Sequence, residues 1–289
     1  MASPEPPLRE SRPHESRPHE SWRTLNRANW DERVPVHRAV PFYDVERIRG
    51  GTARMNAIEE AELGPVAELR ILHLQCHFGH DSLILASRGA DVTGLDFSAP
   101  AVDAARENAG ALALDARFVL SDIYAARQAI PEPAAFDLVY VTWGTLCWLP
   151  DIAEWARIVA HFLRPGGRLY FADMHPTAYV FDDMAHGLDG RPGWFAPYFE
   201  AAPLVIDDPR DYADSGARLV NQRTVQWMHP LSAILGSLLE AGLRLDWLHE
   251  HPRVTWKAFA QLVEDAEGCW AWPDRPWLPL AVSLSMTRT

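Results

Sequence analysis

From Leu69 to Ala172 the chain alternates short apolar runs with helical stretches, and this rhythm limits the possible folds more than any other feature. Leu69–Leu74 reads as a strand, Asp81–Arg88 as a helix closed by Gly89, and Ala90–Leu95 as a second strand. Ser98 caps the next helix, Pro100 sits in its first turn, and the helix fades near Gly110. Arg117–Leu120 and Phe136–Val141 are the third and fourth strands. The fourth is almost uniformly apolar, as a central parallel strand covered on both faces requires. Ile152, Trp155, Ile158, Val159 and Phe162 recur at helical spacing. That helix ends at Arg164-Pro-Gly-Gly167, and Arg168–Ala172 is the fifth strand. Such alternation predicts an α/β fold with a Rossmann-like, doubly wound, mostly parallel sheet.

The flanks carry different patterns. Residues 1–20 contain Ser-Arg-Pro-His-Glu twice in tandem and read as a flexible tail. Residues 21–65 read as an N-terminal helical cap segment. Trp22, Trp30, Val34, Val36, Phe42 and Tyr43 are its anchors, and a helix over Thr52–Leu63 is stopped by Gly64-Pro65. Within a domain over 66–289, the stretch 176–221 is rich in aromatics and has no clean period, which suggests an inserted substrate lid. Arg223–Met228, Arg244–His249 and Leu280–Met286 look like strands and Leu231–Ala241 like a helix, and a seven-stranded sheet is expected. Trp247, Trp256, Trp270, Trp272 and Trp277 are expected to close the C-terminal core.

Composition narrows the function. The formal charge of −12 argues against a nucleic-acid partner, which a positive surface would serve better. No apolar run approaches the about 20 residues that a membrane helix needs. The chain start lacks a basic-then-apolar leader pattern, so a cytoplasmic protein is expected. Cys76, Cys147 and Cys269 are far apart and lack metal spacing, so reduced thiols and no metal are expected.

Three features converge at the carboxyl ends of successive strands, where open α/β sheets bind ligands. They are the turn Gln75-Cys76-His77-Phe78-Gly79, Asp96 after strand two, and Asp122 after strand three. Asp96 can accept both hydroxyls of a ribose and Asp122 the amine of an adenine, with Phe97 and Ile123 on the two faces of the base. A dinucleotide pyrophosphate needs bare glycine where Gln75 and His77 stand, which argues against a nicotinamide-dependent oxidoreductase.

The segments Ile71-Leu-His-Leu-Gln-Cys-His-Phe-Gly79, Val92-Thr-Gly-Leu-Asp96, Phe118-Val-Leu-Ser-Asp122, Phe136-Asp-Leu-Val-Tyr-Val141 and Leu163-Arg-Pro-Gly-Gly-Arg-Leu169, in this order, resemble the class I S-adenosylmethionine-dependent methyltransferases. The usual first motif is Asp-x-Gly-x-Gly-x-Gly. Here His73, Gln75 and His77 replace the acid and two glycines, and Gly79 is kept, as in a similar small-molecule branch reading His-Leu-Gln-Cys-His-x-Gly. The resemblance implies S-adenosyl-L-methionine as cofactor, S-adenosyl-L-homocysteine as product, and a small acceptor, aromatic or heteroaromatic, methylated on oxygen or nitrogen in natural-product tailoring. It places Gln75, Cys76, His77 and Gly79 against the methionine part, Asp96 on the ribose and Asp122 on the amine. Thr142 and Trp143 then line the sulfonium side, and Tyr43 with Arg47 folds over the cofactor's carboxylate. His175, with Asp173 on the same strand end, is the first candidate for a base, and His77 the second. A hydrogen-bonded structural role is the competing reading of His175. A relative that binds the cofactor without transferring its methyl group is the alternative function.

Overall fold

The computed structural model describes residues 21–40, 43–183, 192–214 and 216–289. The expected tail over 1–20, Phe42 and part of the expected lid lie outside those residues. Three helices lead in: α1 (Trp22–Arg38), α2 (Val45–Arg49) and α3 (Ala57–Glu62). Then follow β1 (Arg70–Leu74), α4 (His80–Ser87), β2 (Asp91–Asp96), α5 (Ala99–Leu112) and β3 (Ala116–Leu120). The next elements are α6 (Ala126–Ala129), β4 (Phe136–Thr142), α7 (Ile152–Phe162) and β5 (Leu163–Met174). A hairpin of β6 (Leu204–Asp207) and β7 (Arg223–Gln226) precedes α8 (Leu231–Glu240), β8 (Leu243–His251) and β9 (Arg253–Val254). The chain closes with β10 (Val263–Glu264), β11 (Trp270–Ala271) and β12 (Ala281–Arg288).

The central sheet has seven strands in the order β3-β2-β1-β4-β5-β12-β8. The first five run parallel, and β12 pairs antiparallel with both β5 and β8. Period-two alternation sends β4 residues to opposite cores. Val139 and Val141 join Trp155, Phe162 and Phe171 under α7 and α8, while Leu138 and Tyr140 join Leu83, Val102 and Tyr170 under α4 and α5.

Four sequence expectations change. The helix expected over Thr52–Leu63 shortens to α3, because Asn56 caps it by accepting from the N–H groups of Ile58 and Glu59. The Pro-Gly-Gly turn does not precede the fifth strand. It is a bulge within β5, which starts at Leu163 opposite Phe136 and resumes at Arg168 opposite Leu138. The strand expected over Arg223–Met228 contracts to β7 and pairs with β6 outside the central sheet. The C-terminal tryptophans divide: Trp256, Trp270 and Trp272 pack on a third cluster around Phe259 and Leu280, whereas Trp277 is exposed.

Candidate functional site

The loop between β1 and α4 turns through left-handed backbone three times, at Gln75 (φ 58°), His77 (φ 51°) and Gly79 (φ 75°). Gln75 and His77 thus hold conformations that glycine takes without strain. At Gly79 no side chain is possible: a Cβ there would lie 2.6 Å from the Phe118 ring. Two bonds anchor the loop to the end of β2. Cys76 N–H donates to the Leu95 carbonyl at 3.0 Å, and His77 N–H donates to Asp96 Oδ2 at 2.8 Å.

Asp96 also accepts from Ser98 N–H through Oδ1 at 2.9 Å, so both carboxylate oxygens are held by backbone donors. Burial raises its carboxyl to about 6 against the opposing pull of those bonds. Cys76 is buried beside Gly94, and burial pushes its thiol up, away from the reactive thiolate. Gln75 donates through Nε2 to the Thr145 carbonyl, while its Oε1 is buried without a hydrogen-bond partner.

The expected adenine side lies under α1. Arg23 Nε donates to Asp122 Oδ2 at 2.9 Å, and Asp122 Oδ1 caps the next turn by accepting from Tyr124 N–H. The Arg27 guanidinium stands 5.8 Å from the Phe97 ring centre, and Ile123 is buried. Trp30 meets His77 edge-on at 5.2 Å, and Asp31 accepts from the Ser98 hydroxyl at 2.6 Å.

At the end of β4, Thr142 is buried and Trp143 turns left-handed (φ 47°). The Trp143 indole N–H donates to Glu59 Oε2 at 3.1 Å, which fixes the ring toward α3. Glu59, from α3, is buried and also bonded by Tyr140 and Asn56. Burial, reinforced by the nearby Asp81 charge, pushes its carboxyl well up. Tyr43 packs on Phe78, and its hydroxyl meets that of Tyr212 at 2.8 Å.

Asp173 and His175 have other neighbours. The Asp173 carboxylate accepts from the N–H groups of Gly144, Thr145, Leu146 and Met174, so it holds the loop after β4. Burial raises its carboxyl in spite of those bonds. His175 is 3% exposed and accepts from Thr177 N–H through Nδ1. Its Nε2 lies 3.1 Å from Glu250 Oε1, off the hydrogen-bond direction. Burial lowers the imidazole below its ordinary value. His73, in the position of the usual acid, is buried on Ser82 and drops to about 3.

The structure thus gathers the turn residues Gln75, Cys76, His77 and Gly79 against Asp96 at the end of β2, with Phe97 following Asp96 directly. It sets Asp122 and Ile123 beside them under α1. Asp173 braces the loop that carries Trp143. Among the described residues no cluster of metal-ligating side chains occurs, and no helix is long and apolar enough to cross a membrane. Sequence reasoning missed Glu59, Arg23, His37 and Asp211. None lies in a recognisable motif; only Asn56 ahead of Ala57 hinted that Glu59 begins a helix.

The family described as a methyltransferase domain matches residues 71–167, the stretch from β1 through β4 to the bulge at the start of β5, with this turn inside it. Residues 71–167 are a class I methyltransferase domain. Two relatives are a ubiquinone biosynthesis O-methyltransferase of Ralstonia nicotianae, 31% identical over 154 residues, and one of Serratia proteamaculans, 28% identical over 149. The alignments cover 53% and 50% of this chain and 58% and 56% of those proteins, so the chain spans little more than half the length of the curated relatives it matches. An S-adenosylmethionine-dependent methyltransferase structure from Mesorhizobium loti has a TM-score of 0.55 at 24% identity, over 80% of this chain and 96% of that one. Another from Methanosarcina mazei has a TM-score of 0.51 at 17% identity, over 82% and 99%. These two likenesses establish the fold of the methyltransferase domain and its flanks.

Proposed function

We propose that the chain transfers a methyl group from S-adenosylmethionine to an oxygen or nitrogen of a small aromatic or heteroaromatic molecule and releases S-adenosylhomocysteine. The observation that carries this reading is Asp96. Its oxygens accept from backbone N–H groups that hold it at the end of β2, and lone-pair capacity remains for a ribose hydroxyl. The residues present fit such a cofactor. Gln75 Oε1 is a buried acceptor without a donor, beside a turn that already holds Asp96.

Bound there, the cofactor supplies an electrophilic methyl group on sulfur. The chain's own task is placement, because in-line displacement depends on holding the reacting atoms at near-attack distance. Asp96 orients the ribose, and Asp122 takes the adenine amine once Arg23 has left it. Phe97 and Ile123 flank the base. Gln75, Cys76, His77 and Gly79 shape the methionine end, with Tyr43 over it, and Thr142 and Trp143 line the far side. The contacts of Asp173 and His175 support positioning roles rather than proton transfer: Asp173 braces the loop after β4, and His175 is held by Thr177 in the turn after β5.

Relatives named for ubiquinone biosynthesis O-methylation support an oxygen acceptor. Natural-product tailoring stays part of the proposal, as does a cytoplasmic setting, which the free thiols of Cys76, Cys147 and Cys269 suit. The test is incubation with methyl-labelled S-adenosylmethionine and a panel of catechols and hydroxyquinones. S-adenosylhomocysteine released in step with labelled ether is expected. A protein that binds neither form of the cofactor ends the proposal.

A further inference from the structure

Helix α1 and the β6–β7 hairpin are built as one piece. Asn26, fully buried, exchanges two bonds with Val225, donating to its carbonyl and accepting from its N–H, each at 2.8 Å. Asn29 donates to the Asn221 carbonyl at 2.7 Å, and Glu32 accepts from the N–H groups of Val220 and Asn221. Trp22 meets Trp227 edge-on at 5.4 Å. Buried polar bonds of this kind are costly to break one at a time, so the two elements move together.

This cap meets the carboxyl edge of the sheet through Arg23 on Asp122, Asp31 on Ser98, and Val34 against Phe78 and Ala101. One further contact reaches deeper. His37 Nδ1 lies 2.9 Å from His77 Nε2, and His37 Nε2 lies 3.0 Å from Asp211 Oδ2, which precedes β7 in the cap. Burial alone would raise Asp211, but the bond from His37, backbone donation and Arg33 outweigh it and hold the carboxyl at about 2. An ionised Asp211 takes the protonated Nε2 of His37. The other ring nitrogen of His37, Nδ1, shares a single proton with His77 Nε2, its donor set by the tautomer. Asp211, His37 and His77 therefore form a hydrogen-bonded chain from the cap into the loop that anchors on Asp96.

We propose that α1 and the β6–β7 hairpin open and close over the cofactor site as one cap, with the His37–His77 bond, oriented by Asp211, as the clasp that keeps it closed. The inference rests on the proposed use of S-adenosylmethionine, since the adenine amine and Arg23 compete for Asp122. His37 and Asp211 are positioning residues in this account: they act on the bound molecule through His77. A retained cofactor leaves only when the cap lifts, so the clasp sets the rate of release more than the rate of entry.

The experiment is stopped-flow binding and release of S-adenosylhomocysteine, followed by tryptophan emission. Wild type is compared with His37→Leu, which cuts the chain, and His37→Gln, whose amide can donate to Asp211 and accept from His77. Loss of one buried bond predicts release about tenfold faster in His37→Leu, association within about twofold of wild type, and release from His37→Gln close to wild type. Release unchanged in His37→Leu, or equally fast in both variants, overturns the clasp. Should His37→Leu fail to fold, His77→Ala against His77→Gln reads the same bond from the loop side. Wild type that does not bind S-adenosylhomocysteine overturns the functional reading, and the clasp with it.

Discussion

The main-chain N–H of His77 donates to Oδ2 of Asp96 at 2.8 Å, which joins two positions 19 residues apart in the chain. The same carboxylate therefore anchors the loop and faces the proposed ribose. Asp96→Ala should weaken S-adenosylhomocysteine binding by about ten- to a hundredfold, or roughly 1.5–3 kcal/mol. Titration calorimetry measures it, and unchanged affinity would place the nucleoside elsewhere.

Acidity gives a second handle on the same group. Asp96 is raised from 3.8 to about 6, so the folded chain holds this proton more tightly than the unfolded one. Its contribution to stability is full below the ordinary value and is lost as pH rises through the folded value. Ligand binding has the opposite sign, because ribose hydroxyls need an ionised acceptor. Affinity for S-adenosylhomocysteine should climb with pH, approaching tenfold per unit below the folded value, in calorimetry between about pH 5 and 8.

Gly94 tests the packing beneath the loop. A Cβ there would lie 2.7 Å from the Phe118 ring and 2.8 Å from Cys76 Sγ, both buried. Gly94→Ala should cost about 1–3 kcal/mol in urea unfolding. Adding Cys76→Ala should recover only part of the loss, since Phe118 remains in the way.

Asn26 tests the weld between α1 and β7. Asn26→Ala strands the N–H and the carbonyl of Val225 in a buried place, at about 1–3 kcal/mol for each group left unpaired. A markedly lower thermal midpoint is expected. A near-neutral effect would show that the two elements are not held by this side chain.

Glu62 contributes to the acid limb of stability. Burial would raise its carboxyl, but bonds with His251, His249, Ser283 and Tyr170 outweigh it and lower it from 4.5 to about 2. A depressed carboxylate stabilises above its ordinary value, and that contribution fades as pH falls through the folded one. Glu62→Gln should therefore flatten the loss of unfolding free energy on acidification by an amount on the order of 1–3 kcal/mol. Denaturant titrations in acid read the difference.

Much of the sheet is legible along the chain because its signals are local. The apolar run Phe136–Val141, the Ser98 cap and Gly89 after α4 each act within a few residues of themselves, and β1 to β4 and their helices fall close to where those signals place them. The Pro-Gly-Gly turn misleads for the same reason: it marks a break, but whether that break ends a helix or bulges a strand depends on the facing β4 residue.

The site is legible only in its strand-end half. Asp96 and Asp122 each follow an apolar run, so position alone suggests their role. Glu59 meets Tyr140 across 81 positions and His37 meets Asp211 across 174, and no periodicity records such partners.

Residue order alone determined where β1 to β4 and the helices between them form, and which carboxylates stand at strand ends. These depend on dihedral preference, capping and the period of apolar side chains. Only the tertiary structure decided that Arg23 covers Asp122, that Asp173 is spent on the loop after β4, and that α1 joins a hairpin nearly 200 residues away. Those outcomes follow from which buried donors find acceptors once the layers have packed, a condition on the whole molecule rather than on any stretch of it.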